Sequence, residues 1–213
     1  MFKHAVIISG GNGTRMFPLT EYIPKALVKT NNKKLIDYAV DFFKLNDIEN
    51  IHITYGYKCD QLINHIHTKS CSLLNTINQD NSYFVFNTII KYINEPIIIC
   101  PCDLDFDINL NELYAEYVNL KSPAACIIPI EYNSDADKIE QQDQNVLQIN
   151  KNIKSNLSAS GIQIINPFKI NQLITPYQNF YDVWKELIKQ KQLLVTRTKP
   201  TKWKCFDKIS DLT

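Results

Sequence analysis

The chain has 213 residues, a formal net charge of +1, 45% hydrophobic residues and 21% charged residues. That length suits one α/β domain with a substantial core and leaves little room for two, and the apolar content excludes a disordered chain. The near-zero charge excludes the broad basic face of general nucleic-acid binding, and no apolar run has the length of a membrane span; the expected location is cytoplasmic.

In chain order, a strand is predicted over 3–9, where Ala5-Val6-Ile7-Ile8 is continuously apolar. It empties into Gly10-Gly11-Asn12-Gly13-Thr14-Arg15. Leu35, Ile36, Ala39, Val40 and Phe43 then fall on one helical stripe. Strands follow over 51–55 and 96–100, with helices over 61–67 and 83–93 between them. The run Ile97-Ile98-Ile99 has no polar alternation, which predicts a central strand covered on both faces. Leu110, Leu113, Tyr117 and Leu120 mark a further helix. Strands are predicted over 124–130, 146–149, 159–165 and 193–197, with a helix over 182–190. The polar stretch 131–144 has no apolar period and reads as an excursion between strands. Short β-branched runs alternating with amphipathic stretches give an α/β chain.

The six cysteines show no paired CxxC spacing, so reduced, buried thiols are expected rather than a metal site. His65 and His67 lie two apart, which sends them to different sides of a helix and predicts surface or packing roles.

The glycine-rich loop is where chemistry first shows. Gly10, Gly11 and Gly13 permit positive φ and close approach of backbone N–H groups to an anion. Arg15 offers a planar charged fork for phosphate oxygens and Lys25 a point charge on a flexible stem, while Pro18 and Pro24 narrow the unbound ensemble. The loop lacks the GK[ST] ending of a Walker loop and the acidic partner of a dinucleotide fingerprint. The string GGNGTRMFPLTEYIPK instead resembles the signature GGxGTRxxPLT…PK of the sugar-1-phosphate nucleotidyltransferases.

That resemblance implies a single-domain, three-layer Rossmann-like (GT-A-like) fold with a mixed, mostly parallel central sheet. It implies that Gly10, Gly11, Asn12, Gly13, Thr14 and Arg15 hold the nucleotide, and that Arg15, Lys25 and Asp103 are the catalytic set. Asp103 follows the buried strand at 96–100, where an acid can hold Mg²⁺ against phosphate oxygens; Asp105 and Asp107 read instead as turn and helix-entry residues. For the second metal carboxylate, one family spacing selects position 205, which is Cys205 here. The ending FDKISDL resembles that of phosphocholine cytidylyltransferase-like members and selects Asp207, whose competing reading, the N-cap of a terminal helix, fits Asp211 as well. Val146 to Lys151 resembles the VxxIxEKP segment, which puts Lys151 on the acceptor phosphate; Asn150 replaces the customary Glu. Gly161 matches the following small-residue strand and is expected beside the acceptor. A base-side loop over 78–82 is inferred, with Asn81 as its nucleotide contact.

The expected reaction is Mg²⁺-dependent nucleotidyl transfer from a nucleoside triphosphate to a sugar 1-phosphate for surface polysaccharide or glycoconjugate synthesis. A second reading keeps the reaction and takes a small phosphorylated alcohol such as phosphocholine. A third, of another class, is a catalytically silent nucleotide- or sugar-phosphate-binding regulator. The expected partners are the nucleotide and a phosphorylated small molecule, with neither nucleic acid nor membrane. The short end after the acidic–Leu pair leaves a homodimer contact open.

Overall fold

Alternation of buried residues along the strands builds two apolar faces from one sheet. The computed structural model describes residues 1–69, 71–76, 85–173 and 179–212. Its strands are β1 (His4–Ile8), β2 (Lys29–Thr30), β3 (Lys33–Lys34), β4 (Asn50–Tyr55), β5 (Ser72–Asn75), β6 (Ile97–Pro101), β7 (Leu104–Asp107), β8 (Ala125–Glu131), β9 (Lys138–Gln142), β10 (Asn145–Asn150), β11 (Leu157–Ile165), β12 (Leu193–Val195) and β13 (Lys202–Cys205). Nine of them form one sheet in the order β5-β4-β1-β6-β11-β8-β12-β10-β9, while β7 pairs with β13 and β2 with β3 outside it. The pairings from β5 to β6 are parallel, as is β8 with β12; β11 and β10 run against their neighbours. The sheet is thus mixed and mostly parallel, and the fold is the α/β Rossmann-like one expected.

Ala5, Ile7, Ile98 and Cys100 face one side with Ile36, Ala39, Val40 and Phe43 of α2 (Leu35–Leu45), after the single turn α1 (Leu19–Tyr22). Leu62 and Ile66 of α3 (Cys59–Ile66) complete that layer. Val6, Ile97, Ile99 and Ile127 face the other side. They meet a π turn (Val85–Ile89) and the α4 turn that follows it (Ile90–Tyr92). The α5 helix (Leu110–Asn119) packs on the first layer; α6 (Pro167–Leu173) and α7 (Phe180–Lys189) pack on the second. Ile97, Ile98 and Ile99 have no solvent exposure, as a strand between β1 and β11 with both faces covered must.

Three expectations are corrected. The stretch 131–144 contains β9, where Lys138 and Ile139 are buried and the next three residues exposed, so no alternation announces it. Asp105 lies inside β7 rather than in a turn and pairs with Lys202 of β13 at 2.7 Å, while the entry to α5 is capped by Asn109, whose side-chain oxygen accepts from the Asn111 and Glu112 N–H groups. The helix expected over 83–93 is a π turn running into α4 from Val85; residues 83 and 84 lie outside the described set.

All six cysteines are free thiols, as expected, with Cys100, Cys102 and Cys126 buried and Cys59, Cys71 and Cys205 only partly so. His65 serves packing: its ring lies 2.8 Å from both Asp37 and Lys34, joining α3 to the start of α2. No helix among the described residues is long and apolar enough to cross a membrane.

One carboxylate fastens the far end of the sheet. Glu116 of α5 accepts from the backbone N–H groups of Arg197 and Thr198, the Thr198 hydroxyl and the Gln144 amide. Burial raises its pKa, but these four donors outweigh burial and leave it lowered. A depressed folded-state pKa gives stability that is present above the ordinary Glu value and lost as pH falls through the folded one. Glu116→Gln is expected to cost about 1–2 kcal/mol at pH 7. Melting temperatures taken from pH 7 to pH 3 should show the gap to wild type closing towards acid; a constant gap would mean the carboxylate charge is not what holds this corner.

Candidate active site

The carboxyl ends of parallel strands are where an open α/β sheet leaves a crevice, and here two of them are stitched together. Cys102, just past β6, donates its N–H to the Ile8 carbonyl of β1 at 3.0 Å. Ser9 donates its N–H to Thr54 Oγ1 at 3.0 Å, fixing the same end of β1 against β4.

The glycine-rich loop leaves this seam. Among its three glycines Gly13 alone takes positive φ, at 62°, and Gly11 faces open space, so the left-handed requirement is narrower than the sequence suggests. A Cβ on Gly13 would come within 2.8 Å of Lys25 Cβ and 3.1 Å of Thr20 Cγ2. Both the dihedral and the close approach of the Lys25 stem therefore demand glycine. Thr20 Oγ1 donates to the Gly13 carbonyl at 2.8 Å, and Tyr57 OH donates to the Thr20 carbonyl at 3.0 Å. Thr14 opens a 3-10 turn (Thr14–Met16) whose Met16 is fully buried, which leaves Arg15 pointing outward.

Arg15, Lys25, Asp103 and Asp207 converge, although 192 positions separate the first from the last. The Lys25 ammonium donates to Asp103 Oδ2 and to Asp207 Oδ1, the latter at 2.9 Å, and Arg15 donates to Asp207 Oδ2. Burial works against the charge on Lys25, but Asp103 and then Asp207 outweigh it and raise its pKa, so the ammonium persists at neutral pH. The Arg15 side chain is 64% exposed against 13% for Lys25 and Asp103, so the guanidinium is free to swing while the other two are held.

Asp207 arrives by a route the sequence does not display. In the β7–β13 ladder Cys205 stands opposite Leu104, and the next residue, Phe206, donates its N–H to the Asp103 carbonyl at 2.9 Å. Asp207 follows that bond and so lies beside Asp103. Cys205 also borders the cleft; burial pushes its thiol up to about 12, and a soft sulfur is a poor partner for a hard cation such as Mg²⁺. Asp211 does not cap the terminal 3-10 turn (Ile209–Leu212) as expected. It sits within the turn, and its Oδ2 accepts from the Asp207 and Lys208 N–H groups at 2.8 and 2.7 Å, which fixes the Asp207 backbone.

A cleft of about 630 Å³ opens beside this cluster and is bordered by Arg15, Asp103, Lys151, Gly161 and Asp207. Gly161 takes φ 86° where the β11 register slips, and a Cβ there would meet Pro101 Cγ at 3.1 Å. Glycine thus lets β11 close against the end of β6. Lys151 stands exposed just after β10 and lines the same cleft. Asn81 lies outside the described residues, as does the rest of the 78–82 loop.

Among the residues that the sequence reading did not assign to the site, Asp137, Tyr181, Trp184 and Trp203 share the cleft. They come from β13, α7 and the approach to β9, and no spacing rule joins segments so far apart; two aromatics on the opening turn of α7 were the available hint. Trp203 Nε1 donates to the Ser160 carbonyl at 2.9 Å, tying the strand that leads to Asp207 to β11.

No group of three or more His, Cys, Asp or Glu side chains able to hold a metal occurs among the described residues. Two carboxylates nevertheless face one cation, and Asp103 Oδ1 is buried without a hydrogen-bond partner. Mg²⁺ keeps several waters and takes one or two carboxylates plus substrate phosphate, so this donor set fits it.

Comparison with known proteins agrees with the architecture. A choline-phosphate cytidylyltransferase of Streptococcus pneumoniae is 47% identical over 57 residues, 27% of this chain and 25% of that protein. The bifunctional protein GlmU of Methanococcus aeolicus is 25% identical over 201 residues, 89% of this chain and 48% of its own. The chain thus spans between a quarter and a half of the length of these relatives. Among solved structures, the inositol-1-phosphate CTP transferase from T. maritima superposes with a TM-score of 0.80 at 14% identity, covering 100% of this chain and 92% of that one. UDP-glucose pyrophosphorylase in complex with UDP-glucose gives 0.74 at 19% identity, covering 100% and 96%. The profile of the nucleotidyl transferase family matches residues 4–134, and the chain belongs to that family.

Proposed function

We propose that the chain catalyses Mg²⁺-dependent transfer of a nucleotidyl group from a nucleoside triphosphate to a phosphorylated small molecule, with release of pyrophosphate. The observation that carries this reading is the joint placement of Lys25 between Asp103 and Asp207, with Arg15 on the same cluster and Lys151 lining the cleft beside it. Asp103 and Asp207 would hold the metal, which when bound neutralises phosphate charge and orients the triphosphate. Arg15 leaves Asp207 for the phosphates, and Lys25 offsets charge beside them. Lys151 holds the acceptor phosphate, whose oxygen attacks the α-phosphorus in line as the bond to pyrophosphate breaks. A phosphomonoester is already nucleophilic near neutrality, so no side chain has to remove a proton. Rate comes from positioning and charge.

A sugar 1-phosphate, destined for surface glycans, is the acceptor most members of such a family would suggest. A specific observation favours the second reading, a small phosphorylated alcohol. Asp207 rather than Cys205 joins the cluster, and FDKISDL is the ending that resembles phosphocholine cytidylyltransferase-like members; the relative from S. pneumoniae carries that activity in its name. A silent nucleotide-binding regulator has no need of both acids and both cations in one place.

Pyrophosphate release over four nucleoside triphosphates, several sugar 1-phosphates and several phosphorylated alcohols, with and without Mg²⁺, tests the reading. Release with one pair and loss on chelation is the expected result. Tight nucleotide binding without release from any pair would leave the regulator.

A further inference from the structure

The loop between β8 and β9 carries an exposed carboxylate to the cleft on a stiff backbone. Asn133 Oδ1 accepts from the Asp135 N–H at 2.9 Å and from the Ala136 N–H at 3.2 Å, and Ser158 Oγ accepts from the Asn133 N–H at 3.0 Å. From the start of β9 the buried Lys138 ammonium donates to the Ser134 and Ala136 carbonyls at 3.1 and 2.5 Å and lies 5.2 Å from the centre of the Tyr132 ring. The backbone on both sides of Asp135 is thus tied down, while its side chain, 65% exposed, stays free to turn.

Its partner comes from the other end of the chain and is mounted in the same way. Lys208 Nζ donates to Asp135 Oδ2 at 3.0 Å across 73 positions, and the Lys208 N–H is held by Asp211 Oδ2 at 2.7 Å. An ion pair this exposed adds little to stability, so fastening the loop is a poor account of it. Its position explains it better. Asp135 borders the cleft together with Arg15 and Lys151. The hydrogen bond and charge of Lys208, followed by the charges of Lys151 and Arg15, lower its pKa. One carboxylate therefore lies in the field of three cations, brought from the glycine-rich loop, the end of β10 and the residue before the terminal turn. Phosphate carries more charge and more acceptor oxygens than a carboxylate, so it wins a cation cluster that the fold has already assembled.

We infer that Asp135 stands in for phosphate in the ligand-free cleft: it keeps Lys208 aimed at the site until the acceptor's phosphate displaces it, and Lys208 then joins Lys151 on that phosphate with Arg15 adjoining. Lys208 is a binding residue, and Asp135 positions it while competing with the ligand for it. An acceptor that lacks phosphate cannot displace the carboxylate and finds the cation taken. The assignment to the acceptor rests on the transferase reading; the competition for phosphate is testable without it.

Calorimetric titration of the whole chain with inorganic phosphate, at an ionic strength balanced with chloride, reads this competition directly. Lys208→Gln should weaken phosphate binding roughly fivefold or more, and Lys208→Arg, which keeps the charge, should hold it within about twofold of wild type. Asp135→Asn should tighten binding roughly threefold or more, and most of that gain should vanish in the double variant, because a stand-in matters only while Lys208 is there to be released. A carboxylate that merely repels phosphate gives the same gain in both backgrounds. Circular dichroism checks that each variant folds. In turnover, Lys208→Gln should raise KM for the phosphorylated acceptor by a similar factor and leave KM for the nucleoside triphosphate unchanged. Absence of phosphate binding by the wild type, binding by Lys208→Gln within about twofold of wild type, an equal Asp135→Asn gain with and without Lys208, or a raised KM for the nucleotide alone overturns the inference. The expected pattern with phosphate but no pyrophosphate release from any pair of nucleotide and acceptor would instead sink the transferase reading and keep the stand-in.

Discussion

Asp103→Asn is expected to lower pyrophosphate release by roughly 10³-fold while the chain stays folded. The substitution keeps the shape and removes the charge that faces Lys25 and would face the metal. Structure should survive because the backbone contribution of residue 103 is separate: its carbonyl accepts the Phe206 N–H whatever the side chain. Losing a partly buried partner of Lys25 costs stability, so a melting temperature lower by several degrees is expected alongside an unchanged far-ultraviolet spectrum. Activity within threefold of wild type would remove Asp103 from the metal assignment.

The second large effect is a contrast between two nearby positions. Asp207→Asn is expected to reduce turnover at least 10²-fold, and Cys205→Ser to leave it within about threefold, because the Asp207 carboxylate faces Lys25 and Arg15 whereas a soft sulfur has little affinity for a hard cation. Asp207→Asn also weakens the anion that Arg15 holds in the ligand-free state. Arg15 is then free for phosphate from the start, so nucleotide binding measured without metal should tighten even as turnover falls. The reverse pattern, with Cys205→Ser inactive and Asp207→Asn active, would place the second ligand at position 205.

The contrast also explains what could be read from the sequence. The loop from Gly10 to Arg15 is local, since strand, glycines and cation lie within a dozen residues, and Asp103 is legible because it ends a run apolar enough to be central. Asp207 is different. It stands 104 positions after its partner, and the β7–β13 ladder that delivers it alternates apolar and polar residues over only four positions a strand, too few to announce which strands pair. Positions 205 and 207 differ by two, which on an extended chain puts both on the same side, so spacing alone cannot choose between them. β9 escaped for a related reason, since its exposed half carries no pattern. Asp137 and Tyr181 are 44 positions apart and meet only because α7 packs behind the curled half of the sheet, where β9 pairs with both β10 and β11. Contacts between elements, rather than properties of any one element, made the missed part of the site.

Met16, Val28, Leu35 and Phe206 form a small apolar cluster separate from the two that flank the sheet. Met16 anchors the turn that presents Arg15, and Phe206 immediately precedes Asp207, so the cradle and the second carboxylate share this private core rather than the main ones. Cooperative units of this kind can open with far less free energy than global unfolding. The proposed phosphate cradle is therefore expected to open as one piece: mild denaturant should silence the chain while its nine-stranded sheet stands, and whatever occupies the cradle would in return act as the rivet that keeps that corner closed.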